Sequence, residues 1–102
     1  MKVILNLNGK NKEFEIGKIT GRIMLEHARI SDLMSDESKL LGNQQQFYLD
    51  RCKFIVDCFA DQFTVDDLLD GCEATDIDLI TVGIINYITE RTQSKIGKIV
   101  KN

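Results

Sequence analysis

The sequence predicts an α+β domain: an N-terminal β-hairpin packed on a small bundle of about three helices plus one short helical turn. Three observations carry this. Polarity alternates over the first sixteen residues and turns at Asn8-Gly9, the pattern of two short strands joined tightly. Apolar residues then recur at three- and four-residue spacing in three later segments, as on one face of a helix. Threonines followed by acids, with glycines further on, supply start and stop signals between them.

The hairpin is placed at 2–16. Val3, Leu5 and Leu7 share one face of the first strand, and Lys12, Phe14 and Ile16 can share a face of the second. A two-stranded hairpin is marginal alone, so this face must lie on the helices. The first helix is placed at about 20–34, with Thr20 as its cap and Ile23, His27, Ile30 and Met34 as its stripe, widened by Met24, Ala28 and Leu33. Leu25 falls off that stripe. Residues 35–43 read as a loop punctuated by Gly42-Asn43.

The second helix, about 44–60, is the most apolar. Tyr48, Leu49, Cys52, Ile55, Val56 and Phe59 form a broad face, and Phe47, Phe54 and Cys58 form a second flank beyond Arg51. A helix so widely apolar is either central or touches a partner as well as its own core. A short turn at about 64–70 follows, capped by Thr64 and stopped by a left-handed Gly71. Residues 75–91 are rich in Ile, Val and Thr, which lean towards strand. The Thr75 start signal and the lack of alternation favour helix, with Gly83 marking close packing against another helix. The domain is thus expected to span 1–93, with 94–102 as a basic, flexible tail.

Length and composition narrow the class further. The chain has 102 residues, 43% hydrophobic and 28% charged, with no Pro or Trp, one His and three Cys. That size fits one core, and it needs neither disulfides nor metal to form it. No apolar run reaches the roughly 20 residues of a membrane helix, and the alternating N-terminus is unlike a signal peptide. The cysteines therefore read as reduced thiols in a cytoplasm.

The net charge of −3 and pI near 5.1 argue against bulk nucleic-acid binding. The total conceals a split. No Lys or Arg lies between Phe54 and Glu90, where nine acids stand, whereas Arg91, Lys95, Lys98 and Lys101 follow with no acid. Either these are solvated faces, or acidic middles and basic ends of different copies attract in an assembly.

No enzyme signature emerges. His27 has no catalytic partner in recognisable context. Cys52, Cys58 and Cys72 do not have zinc spacing, so they read as small apolar residues. The Gly17–Gly21 stretch lacks the order of a phosphate loop, and Asp76 and Asp78 lack the glycine and terminal Glu of a calcium loop. No metal and no cofactor is expected.

One block stands out: an apolar helix end running into Phe59, Gln62, Phe63, Thr64, Asp66, Leu68 and Gly71. It resembles the FxxQFTxDxLxxG run of the tail assembly chaperones of siphophages and prophages of Gram-positive bacteria. The Asn8-Gly9 hairpin and the helix after Ile19 also resemble that family's N-terminal half, so the likeness covers about residues 1–90. Where the family often has a Pro before its first helix, this chain has Gly17-Lys18-Ile19-Thr20.

The resemblance implies a non-enzymatic role in the host cytoplasm: binding the long, apolar, helical tape-measure protein before tail tube subunits polymerise around it. It implies that the chaperone is absent from the finished virion. It also implies a longer frameshifted product that recruits the tail tube subunit. Helix-in-groove binding through Phe47, Phe54 and Cys58, with Leu25 and Met24 as weaker candidates, would suit this role. Phe47 and Phe54 could equally be core. The alternative function is a small helical regulatory or DNA-binding adaptor of a phage or prophage. It would want a basic recognition helix, and the second and third helices carry few basic residues.

Overall fold

A computed structural model describes residues 1–36, 38 and 41–100, with side chains of the last helix through residue 96. The elements are β1 (Lys2–Leu7), β2 (Lys10–Glu15), α1 (Gly21–Ser35), α2 (Gln44–Cys58), α3 (Val65–Gly71) and α4 (Ala74–Val100). The hairpin-plus-bundle α+β class expected from the sequence is the observed one.

β1 and β2 pair antiparallel, with Val3 opposite Phe14 and Leu5 opposite Lys12. Asn8 and Gly9 both take positive φ, 55° and 80°, as a two-residue turn requires. Val3 and Leu5 are buried and Phe14 packs against the core. Beyond β2, the Ile16 N–H donates to the Met1 carbonyl at 2.9 Å and the Gly17 N–H to the Cys58 carbonyl at 2.8 Å. The open end of the hairpin is thereby stitched to the C-terminus of α2.

Thr20 caps α1, its hydroxyl accepting from the Ile23 N–H at 3.3 Å. The buried stripe is narrower than the periodicity implied: Ile23 and Ile30 are buried, while Met24 and Met34 are exposed. The expected loop over 35–43 begins at the last residue of α1. Part of it (37, 39 and 40) lies outside the described residues, and Gly42 turns with φ 78°.

α2 lies at the centre. It contacts α1, α3 and α4 and buries Phe47, Cys52, Phe54, Ile55, Val56 and Cys58. Its apolar circumference is explained by neighbours on three sides. Arg51 ties α2 to α4 by an ion pair with Asp78, its guanidinium lying 4.9 Å from the Phe47 ring centre. The helix ends at Cys58, before Ala60 and Asp61 turn left-handed at φ 55° and 58°.

The FxxQFTxDxLxxG block is the seam between hairpin and helices. Phe59 and Phe63 are buried, and Phe63 meets the Phe14 ring edge-on at 5.0 Å. The Gln62 side-chain amide donates to the carbonyls of Glu15 and Phe59, each at 2.7 Å. Thr64 and Asp67 form a reciprocal capping box: the Asp67 N–H donates to the Thr64 hydroxyl at 3.0 Å, and the Thr64 N–H to the Asp67 carboxylate at 3.1 Å. Leu68 fills the core.

Gly71 does not serve as the left-handed stop expected of it, since positive φ among the glycines is confined to Gly9 and Gly42. The requirement is close approach instead. A Cβ at Gly71 would stand 3.1 Å from the Asn6 carbonyl oxygen and 3.3 Å from the Leu7 side chain.

α4 is helical despite its β-branched content. Ile77, Thr81, Ile84 and Ile88 are buried at spacings of four, three and four. The Thr81 hydroxyl is satisfied by donating to the Ile77 carbonyl at 2.8 Å. The start lies at Ala74, and the Asp76 carboxylate accepts from the Glu73 N–H at 3.1 Å. Gly83 faces not another helix but Met1, whose methyl would lie 3.0 Å from an added Cβ. The helix continues to Val100 through most of the expected tail; residues 101 and 102 lie outside the described ones. Arg91 and Lys95 are good helix formers, and cations suit a helix C-terminus, so nothing stops the helix near 91.

Candidate protein-binding surfaces

The five side chains singled out from sequence divide sharply. Phe54 is 1% exposed and Cys58 fully buried, and Phe47 is buried with them. All three belong to the buried core cluster around α2. Met24 is 38% exposed and Leu25 is 73% exposed. These two stand at the surface of α1.

Two other exposed aliphatic residues come together from elements distant in sequence. Ile4 occupies an outward position of β1, between Lys2 and Asn6, because Val3 and Leu5 take the inward ones. It is 60% exposed. Leu79 lies off the buried stripe of α4 and is 69% exposed. Both line an open trough of about 330 Å³ between β1 and the start of α4, which Met1, Val3 and Ile80 line as well, with Lys2 and Asp76 as its charged members. Val82, 44% exposed, follows Leu79 by three residues on α4, which places it on the same side. The sequence carried a signal for each: an Ile in the polar register of a strand, and a Leu off a helix stripe. Neither signal says that the two meet.

Met24 belongs to a second concavity, a cleft of about 310 Å³ between the start of α1 and the C-terminal half of α4. Ile19, Met24 and Tyr87 give it apolar walls, and Lys18, Arg91 and Lys95 stand around it. The Arg91 guanidinium lies 5.4 Å from the Tyr87 ring centre, a cation–π arrangement. Among the described residues no carboxylate forms an ion pair with these three cations.

A third groove lies at the turn end of the hairpin, lined by Asn6 and Asn8 and by Asp66, Asp67 and Asp70 of α3. The charge split of the sequence has become spatial. The basic cleft adjoins Gly17 at the open end of the hairpin, and the acidic groove adjoins the turn.

Among the described residues all three thiols are shifted by burial. Burial pushes the Cys58 thiol up to about 12, with the nearby Asp57 charge adding to the effect. Cys52 and Cys72 are likewise raised, chiefly by burial. Such thiols are poor nucleophiles near neutrality. Among the described residues, no group of three or more His, Cys, Asp or Glu side chains could hold a metal ion. No helix of the described residues is long and apolar enough to cross a membrane.

Comparison with known proteins agrees with the signature block. No curated protein and no solved structure matches the chain. A family model described as phage tail chaperone protein matches residues 1–102, the whole length, and the chain belongs to that family.

Proposed function

We propose that this phage tail chaperone binds the apolar, helical tape-measure protein in the host cytoplasm and keeps it soluble until tail tube subunits assemble around it. The observation that carries the reading is the trough lined by both Ile4 and Leu79, 60% and 69% exposed. Burying an exposed aliphatic side chain fully is worth about 1.5–3 kcal/mol, so two or three such contacts give one chaperone a modest affinity. A long client offering many apolar segments turns modest single sites into strong overall retention.

The trough suits an amphipathic helix laid with its apolar face inward. Leu25 and Met24 extend the same chemistry on α1. Phe47, Phe54 and Cys58 contribute by holding α2 and thus the scaffold. In this account the phage is a siphophage or related prophage. A longer frameshifted form recruits the tail tube subunit, and the chaperone leaves before the virion is complete.

Co-expression with the tape-measure gene tests the reading. The soluble fraction of the tape-measure protein should rise several-fold over expression without the chaperone. An unchanged fraction beside a well-folded chaperone contradicts it.

A further inference from the structure

The basic cleft has no part in the trough reading, yet the two concavities adjoin. Met1 lines the trough, and its carbonyl accepts from the Ile16 N–H at 2.9 Å. The next residue, Gly17, lines the cleft. On the helix side, Asp76, Ile80, Gly83, Tyr87, Arg91 and Lys95 follow one another at spacings of three or four residues, a single row along α4. Asp76 and Ile80 line the trough, and Tyr87, Arg91 and Lys95 line the cleft. Gly83 lies between them, where the Met1 side chain crosses the row.

We infer that trough and cleft form one groove along α4, and that the client segment it takes is a helix with an apolar stripe at one end and acidic side chains on the same face at the other. The inference rests on the reading that the trough holds the client, and it adds the charge pattern of the segment held. The groove's own charges carry it. Lys18, Arg91 and Lys95 surround the cleft, and among the described residues none of them forms an ion pair. The trough end differs: Asp76 stands there, and Lys2 is paired with Glu13 at 4.0 Å. An acidic client end is therefore drawn to the cleft and repelled from the Asp76 end.

The spacing of the client's groups follows from α4. Ile80 and Arg91 are eleven residues apart, about 16 Å of helix. A client helix lying beside α4 has the same rise, so its acids stand about eleven residues from its apolar anchor. Ile19 and Met24 continue the apolar lining into the cleft, so the stripe continues past Met1. A segment with a basic end meets like charge at the cleft and is rejected. Charge thus selects among the many apolar segments of a long client.

Fluorescence anisotropy with two labelled helical peptides of about 20 residues, some 30 Å long, tests it. Both carry leucines at helical spacing over the first half. On the same face of the second half, one carries glutamates and the other lysines. At about 0.1 M salt the parent should bind the glutamate peptide at least about tenfold more tightly. At about 1 M the preference should largely vanish, as the Debye length shrinks from roughly 10 to 3 Å. Lys18→Glu with Lys95→Glu should reverse the preference, and Ile4→Asp with Leu79→Asp should weaken the binding of both peptides. All four sites are exposed, so each double variant should keep the far-UV circular dichroism of the parent.

A parent that binds both peptides equally, or neither, overturns the inference. So does a Lys18/Lys95 variant that keeps the parent's preference, which would assign the cleft to some other acidic partner. Co-expression separates this from the reading beneath it. A parent that solubilises the tape-measure protein but shows no preference keeps the trough and loses the charge code. A parent that fails to solubilise it removes both.

Discussion

Phe54→Asp separates a structural role from a binding role more cleanly than any other single change. Phe54 is 1% exposed in the middle of α2, where its ring fills the space between that helix and its neighbours. Truncating such a ring to Ala costs about 3–5 kcal/mol, the lost transfer energy plus the cavity left behind. A carboxylate buried there adds several kcal/mol more, or stays protonated at comparable cost. A domain of 102 residues has about 5–15 kcal/mol of stability in all, at about 0.05–0.15 kcal/mol per residue. Phe54→Asp therefore removes most or all of it, and the chain should show no cooperative thermal transition by circular dichroism. Phe54→Leu keeps an apolar group in the space and should still fold, with a lower Tm. A Phe54→Asp protein melting within a few degrees of the parent would refute the reasoning. It would return Phe54 to the surface as a client-binding residue.

The remaining predictions concern the seam and the thiols. Thr64→Ala removes one half of the capping box and should lower stability by about 1 kcal/mol, read as a shift in urea midpoint. Gly71→Ala forces a methyl to within 3.1 Å of the Asn6 carbonyl and should cost about 1–3 kcal/mol. Gly21→Ala meets nothing within 4 Å at the start of α1 and should raise stability by about 0.4–1 kcal/mol.

The Cys58 thiol is raised from 9.0 to about 12 in the folded chain. Below pH 9 both states hold the proton. Above it the unfolded chain releases the proton first, so stability falls as pH rises, by up to about 1.4 kcal/mol per unit. Urea midpoints under reductant at pH 8 and pH 10 should show the fall, and Cys58→Ala should lessen it, the raised Cys52 and Cys72 thiols supplying the remainder.

Much of the fold was legible because its local signals are strong and short-range. Asn8-Gly9 can hardly be anything but a tight turn, and Thr20 and Thr64 cap the helices they precede. Gly71 was found but misread. A glycine after a short helix looks the same from sequence whether it supplies positive φ or makes room for a passing strand. Only the position of Asn6 decides between them.

The second flank of α2 was ambiguous for a related reason. A helix contacted by α1, α3 and α4 shows the same apolar circumference as one that meets a partner. The trough was the least legible feature. Ile4 and Leu79 stand 75 positions apart in sequence, and their meeting depends on how the hairpin lies against α4. The signature block from Phe59 to Gly71 proved to be largely a stitch between hairpin and helices. It marks the family through its fold.

The most direct test of the account replaces Ile4 and Leu79 together with Asp and follows the tape-measure protein in co-expression. Both side chains are exposed, so the variant should keep a Tm within a few degrees of the parent. The account predicts that the tape-measure protein then returns to the insoluble fraction although the chaperone is folded and abundant. A tape-measure protein that stays as soluble with the variant as with the parent would contradict the claim that this trough holds the client.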